Sequence, residues 1–188
     1  MKIGLTEIID AKIGTTQISK IMRGTTLIWE NVSATVYIDQ PNLIQFPNEY
    51  ENAYWTKSGA TINGTLQIAP DGTNTARLVT VDASSLGVYR LITNDVLAGD
   101  ELYMSVWLKA DAATDILIGF NGQTAGGNNG GIIQNITSTW TKYTFTKTSV
   151  ADTGIYVAIA STRWSGANSN NTLTQRAIYV WGASYNIR

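Results

Sequence analysis

The stretch ELYMSVWLKA, residues 101–110, alternates without a break. Met104, Val106 and Leu108 fall on one side of an extended chain, and Tyr103, Ser105 and Trp107 on the other. Side chains of a β-strand point to opposite faces in turn, so this is the pattern of a strand with one face in a core. The same division recurs twice. In AIYVWGASY (177–185), Ile178 and Val180 oppose Tyr179 and Trp181. In GIYVAIA (154–160), Ile155, Val157 and Ile159 oppose Tyr156. The aliphatic sets read as core, and the aromatic sets lie on the other side.

Short alternating runs fill the chain around these stretches: 60–69, 75–81, 86–93, 101–109, 115–120, 131–136, 140–148, 154–161 and 176–187. Turn chemistry separates them, notably Pro70-Asp71-Gly72, Ala98-Gly99-Asp100, Asn121-Gly122 and GGNNGG at 126–131. No segment sustains a helical period, and one short helical turn is expected after Pro47. Short strands at this spacing predict an all-β antiparallel β-sandwich, of which a jelly roll is the expected kind.

The first thirty residues follow a different rule. Gly4, Gly14 and Gly24 recur every ten residues, as do Thr6, Thr16 and Thr26. A Gly-X pair between alternating strands marks a two-residue hairpin turn. Gly4-Leu5, Gly14-Thr15 and Gly24-Thr25 would join strands near 6–13, 16–23 and 26–33 into a β-meander. One face of it collects Ile9, Ala11, Ile13, Ile18, Met22, Leu27 and Trp29. So small a sheet cannot bury that face alone. It is either the first layer of one larger domain or an attachment and oligomerisation module, and decapeptide repetition favours the second. Pro41 suits a boundary, dividing the chain into a meander at 1–40 and a sandwich at 41–188.

Composition restricts the chemistry. The 188 residues hold no cysteine and no histidine, which removes disulfides, thiolate metal sites and every imidazole-dependent triad. A net charge of −1 with no basic stripe offers nothing to nucleic acid. No apolar run reaches membrane-spanning length, so no membrane insertion is expected, and the first residues do not read as a signal peptide. Four Asn-X-Ser/Thr sequons, from Asn31, Asn63, Asn135 and Asn170, read as polar β surface.

Several stretches together resemble a known pattern: NLIQFPNEYENAYWTKSGATI (42–62), APDGTNTARLV (69–79), YMSVWLKA (103–110), TWTKYTFT (139–146) and AIYVWGASY (177–185). The signposts are Asn42-Leu43, Trp55 before Ser58-Gly59-Ala60, Pro70-Asp71-Gly72-Thr73, Lys109-Ala110, Trp140 with Tyr143, and Trp181-Gly182-Ala183. Residues 42–185 resemble the carbohydrate-binding-module-like jelly rolls of bacteriophage fibre, tail and other virion proteins, and the opening resembles the N-terminal segments of phage surface proteins. The resemblance implies a non-enzymatic virion surface protein: a capsid decoration, head-fibre or spike subunit, attached by its N-terminus, with the jelly roll outward. Its partners would be other virion proteins and sister subunits. The alternative it implies is a carbohydrate-binding host-recognition module on a tail or fibre, with a host surface glycan as partner.

Candidate sites follow these two readings. Tyr103, Trp107, Tyr156, Tyr179 and Trp181 would form a platform for stacking sugar rings if their side of the sandwich is open. The competing readings cover that side with the meander or a neighbouring subunit, or turn the aromatics inward. In the loops FNGQTAGGNNGG (120–131) and STRWSGANSNN (161–171), Trp164 is the candidate for exposed recognition, with Arg163, Asn121, Gln123 and Asn128 as hydrogen-bonding groups; the alternative is plain solvated loop. Ile9, Ile13, Ile18, Met22, Leu27 and Trp29 are the assembly candidates. Asp71, Asp95, Asp100, Glu101, Asp111, Asp115 and Asp152 sit near turns with no pair at a telling spacing, so no catalytic residue is assigned. No cofactor or metal ligand is expected; a structural Ca2+, common in the resembled modules, finds no EF-hand-like acidic loop.

Light scattering tests the role of the meander. The full chain is expected to run as an oligomer and a chain begun at Pro41 as a folded monomer; unfolding of the shortened chain would make the meander a layer of one core.

Overall fold

The computed structural model describes residues 12–13, 16–17, 20–23, 26–30, 42–92, 96–122, 130–149, 155–163 and 173–187, with backbone alone before residue 31 and at 121, 122 and 130. The chain divides into two compact units, Met1–Asp39 and Gln40–Arg188.

The described residues of the first unit form two antiparallel hairpins. Strand β1 (Lys12–Ile13) pairs with β2 (Thr16–Gln17), and β3 (Lys20–Arg23) with β4 (Thr26–Glu30). Ile13 stands opposite Thr16 and Arg23 opposite Thr26, so two residues separate the paired positions in each case. The second ladder shifts register, setting Met22 opposite Leu27 but Ile21 opposite Trp29. Both hairpins turn where the decapeptide pattern places them, and residues 18–19, which would join them into one meander, lie outside the described residues. The expected apolar face lies outside the described residues: Ile9, Ala11 and Ile18 entirely, and Ile13, Met22, Leu27 and Trp29 in their side chains.

The second unit is an antiparallel jelly-roll sandwich of ten strands: β5 (Thr56–Ser58), β6 (Ala60–Ile68), β7 (Asn74–Val81), β8 (Gly87–Ile92), β9 (Glu101–Lys109), β10 (Thr114–Gly122), β11 (Gly130–Ile136), β12 (Thr141–Thr148), β13 (Ile155–Ser161) and β14 (Arg176–Ile187). One sheet has the order β11-β10-β13-β8-β5 and the other β12-β9-β14-β7-β6. Among the described residues there is no helix, hence none long and apolar enough to cross a membrane. The alternation places the core as expected. Leu102, Met104, Val106, Leu108, Ile178 and Val180 of the second sheet meet Ile116, Ile118, Phe120, Ile155, Val157 and Ile159 of the first, all fully buried.

Segment 42–55 completes the second sheet. Strand β7 pairs with β14 only as far as Arg77 opposite Val180. Beyond that point the segment runs beside β14. Asn42 accepts from the Tyr185 N–H at 3.0 Å and donates to the Ala183 carbonyl at 3.0 Å. The Leu43 N–H donates to the Tyr185 carbonyl at 2.9 Å, and the Ala183 N–H to the Pro47 carbonyl at 3.1 Å. The helical turn expected after Pro47 is instead a pair of hydrogen-bonded turns, Asn52 N–H to Glu49 and Trp55 N–H to Asn52. The Lys57 ammonium favours that form by donating to the exposed carbonyls of Glu51 and Asn52 at 3.2 and 3.0 Å.

These turns deliver Tyr50 and Trp55 into the core. The Trp55 indole donates to the Phe46 carbonyl at 2.8 Å, satisfying its polar edge where it is buried. The Tyr50 hydroxyl accepts from the Ala183 N–H at 3.3 Å, and burial pushes the phenol well above its ordinary range. At the rim Glu51 pairs with Arg77 through two parallel hydrogen bonds, Nε to Oε2 at 2.9 Å and Nη2 to Oε1. The Arg77 guanidinium holds the Glu51 carboxyl below the usual carboxylate range.

The close approach of neighbouring strands β8 and β13 within the first sheet requires glycine at residue 87. Gly87 opens β8 with φ +69°, and a Cβ there would stand 1.8 Å from the Ala160 carbonyl oxygen of β13. Gly87→Ala is expected to lower stability by more than about 2 kcal/mol in urea unfolding, since a left-handed backbone and a clash with main chain act together. Gly64→Ala, where nothing lies within 4 Å of the new methyl, is the control and should leave the midpoint nearly unchanged.

Candidate functional site

The site builds from the outward residues of β9 and β14, central strands of the second sheet. Register sets Trp181 opposite Trp107, and Trp107 opposite Lys142 of β12. Tyr179 stands opposite Lys109, and Asn186 opposite Tyr103. Side chains directly opposed on antiparallel strands are neighbours on one face. Tyr103, Trp107, Tyr179 and Trp181 are therefore gathered on one outer surface, all half-buried. The aliphatic residues between them are fully buried, so the aromatics did not turn inward.

Tyr156 does not join them. It lies on β13 in the first sheet, edge-on to Tyr89 with ring centroids 5.5 Å apart. Its outward face is on the opposite side of the sandwich. Strands β13 and β14 are consecutive in the chain, but the jelly roll sends them to different sheets. The expected five-ring platform is thus a four-ring surface on one sheet and a separate tyrosine pair on the other.

A break in the β9–β14 register shapes the surface. The ladder shifts between Trp181 and Ser184, and Gly182 takes φ +62°. A Cβ on Gly182 would sit 3.3 Å from Cδ1 of Trp107, so the Trp107 ring lies close to bare main chain. The Trp181 indole N–H donates to Thr75 Oγ1 at 2.9 Å, which fixes the ring plane. Beyond the two indoles, Ser105 and Ser184 share a hydroxyl hydrogen bond of 2.8 Å. On the other flank Tyr179 donates to Asp111 Oδ2 at 3.3 Å, and the Lys109 ammonium stands 5.4 Å from the Tyr179 ring centre. Partial burial and then the Asp111 carboxylate raise the Tyr179 phenol above its ordinary value.

The sheet is curled around this surface. Trp140, just ahead of β12, donates its indole N–H to the Ile68 carbonyl of β6 at 3.0 Å. Strands β12 and β6 are the two edges of the sheet, with β9, β14 and β7 between them. At the usual spacing of ~4.8 Å, the edge strands of a flat five-stranded sheet lie about 19 Å apart. The inner face is filled by core, so the edges approach one another across the outer face. Trp140 was legible only as a recurring signpost; nothing local in the sequence indicates a partner 72 residues away.

The remaining candidates lie elsewhere. Arg163 is exposed after β13, with its N–H donating to the Ser85 carbonyl at 3.0 Å. Asn121 sits in β10 opposite Tyr156, with its side chain outside the described residues. Trp164, Gln123 and Asn128 lie outside them altogether, as do Asp95 and Asp152. Among the described carboxylates, Asp71 accepts from the Thr73 N–H and hydroxyl, Asp100 from the Leu97 N–H, and Asp115 from Asn135. Among the described residues no three acidic side chains gather as a metal site would require.

No protein-family model and no curated protein matches the sequence. Solved structures do match it. The CBM22-1 xylan-binding domain of Paenibacillus barcinonensis Xyn10C is similar over 71% of this chain and 85% of its own, at 14% identity and a TM-score of 0.51. The CBM22-1–CBM22-2 tandem domain of the same protein is similar over 79% of this chain and 45% of its own, at 14% identity and a TM-score of 0.53. The enzymatically active domain of bacteriophage CBA120 tailspike protein 4 aligns over 78% of this chain and 21% of its own, at 17% identity and a TM-score of 0.47. At these identities the likeness is one of fold, the jelly roll of carbohydrate-binding modules.

The Trp181–Thr75 bond can be measured directly. A double-mutant cycle of Trp181→Phe and Thr75→Val in urea unfolding is expected to give a coupling of about 1 kcal/mol, the usual net value of a partly buried neutral hydrogen bond.

Proposed function

We propose that the Gln40–Arg188 unit binds carbohydrate without cleaving it, through the outer surface of the second sheet. The observation that carries this reading is the opposed pair Trp107 and Trp181, half-buried on a curled sheet face. Indole rings held by main chain and by Thr75 offer flat apolar surfaces of fixed orientation, which suit the C–H faces of pyranose rings. The half-buried Ser184 hydroxyl and the exposed Lys142 ammonium lie on the same face, able to hydrogen-bond sugar hydroxyls, with Tyr103 and Asn186 beside them. The fold likeness to a xylan-binding domain supports the same class of ligand.

In this reading the chain is a component of a bacteriophage particle surface, assembled in the bacterial host. The jelly roll faces outward to a host glycan, and the N-terminal hairpins attach to other virion proteins or to sister subunits. The support for that setting is the resemblance of residues 1–30 and 42–185 to virion surface proteins. A purely structural decoration protein would share the setting and the fold and would leave the aromatic face to a protein neighbour.

Binding to an array of bacterial surface polysaccharides and plant xylans distinguishes the two. The protein is expected to retain at least one glycan class, and Trp107→Ala and Trp181→Ala to weaken retention at least tenfold, about 1.4 kcal/mol. Retention unaffected by both substitutions would remove the site. Absence of any retained glycan would leave the structural reading.

A further inference from the structure

The bond between Trp140 and Ile68 has no evident need in the core. Its donor and acceptor lie at the rim, and Ile68 is 69% exposed. The end of β6 is otherwise completed by its own hairpin, where the Ala69 N–H donates to the Thr73 carbonyl at 2.8 Å. Trp140 likewise sits next to a ladder that is complete without it, beginning with Thr141 opposite Leu108. What the indole does is span from one edge of the sheet to the other. By extension of the register, Trp140 stands opposite Lys109 and in line with Tyr179, one row from Trp107 and Trp181. Gln67, next to Ile68, pairs with Ala76, beside the Thr75 that holds Trp181.

We propose that Trp140 is a strap over the aromatic face, a positioning residue whose hydrogen bond to Ile68 limits access to Trp107 and Trp181. The bond is a single neutral N–H to carbonyl contact at an exposed site, worth on the order of 1 kcal/mol. So weak a link opens on its own in a measurable fraction of molecules and recloses without disturbing the sandwich. A ligand reaching the two indoles has to find it open or displace it. The only part of this that rests on the carbohydrate reading is the identity of that ligand.

Hydroxyl-radical footprinting read by mass spectrometry tests the strap, with Trp55 as the buried reference. In Trp140→Phe, which keeps a ring but drops the N–H, and in Trp140→Ala, Trp107 and Trp181 are expected to oxidise at least threefold faster than in the unaltered chain. Trp55 should be unchanged. Equal rates at Trp107 and Trp181 with Trp55 protected would overturn the proposal. Where Trp140→Ala also exposes Trp55, the sandwich itself has loosened and Trp140→Phe decides. Xylohexaose retention scored on the same three proteins separates the two claims. Faster oxidation together with gained retention supports both. Faster oxidation with no retention by any of the three supports the strap and counts against xylan-type glycans. Unchanged oxidation sinks the strap whatever xylohexaose does.

Discussion

Buried main-chain groups need partners on both sides of a strand, and β14 is where this requirement is hardest to meet. Of the described strands it is the longest, and it lies in the middle of the second sheet. On one side β9 pairs with it from Tyr179 to Ile187, but on the other β7 stops at Val180. Residues 42–48 take over from there, through Asn42, Leu43, Pro47 and Asn48. The same segment must then turn sharply, and in turning it places Tyr50 and Trp55 under the sheet and Glu51 against Arg77. Asn42 cannot be exchanged for an apolar residue of like size, because its amide makes three separate main-chain bonds.

The same strand sets the geometry of the candidate site. A register shift at Gly182 lets β14 continue beside the 42–48 segment while Trp181 stays opposite Trp107. The tight approach of Trp107 to Gly182 follows from that shift, and so does the placement of Ser184 beside Ser105. Site and scaffold are thus consequences of one irregularity. Rings held in this way lose little freedom on binding a ligand, which favours affinity without requiring a deep cavity.

Alternation made the sandwich legible. The strands at 101–109 and 176–187 have the bounds that their pattern implied, and the others differ by one or two residues at their ends. Strand β5 was not legible, because three polar residues, Thr56, Lys57 and Ser58, carry no period. Alternation also separated aliphatic from aromatic faces correctly along β9, β13 and β14. It failed on Tyr156 because a face is a local property, whereas membership of a sheet is decided by chain crossings that no window of residues contains. Trp140 was missed for a related reason: its partner is brought near by curvature of the whole sheet. The decapeptide gave the spacing of two hairpins, with Ile13 opposite Thr16 and Arg23 opposite Thr26.

The irregularities of β6 bear on crowding. It is an edge strand of nine residues, and a long straight edge invites pairing with the same edge of another molecule. Here the ladder to β7 breaks twice, between Ile62 and Leu66 and between Gln67 and Ile68. The Asn63 side chain accepts from the Thr65 N–H within the first break, and the last carbonyl already holds the Trp140 indole. An incoming strand would find neither a continuous row of donors and acceptors nor a flat approach. Copies held side by side at high local density would keep their sheets separate, and a packed array would not convert into a continuous fibre along this edge.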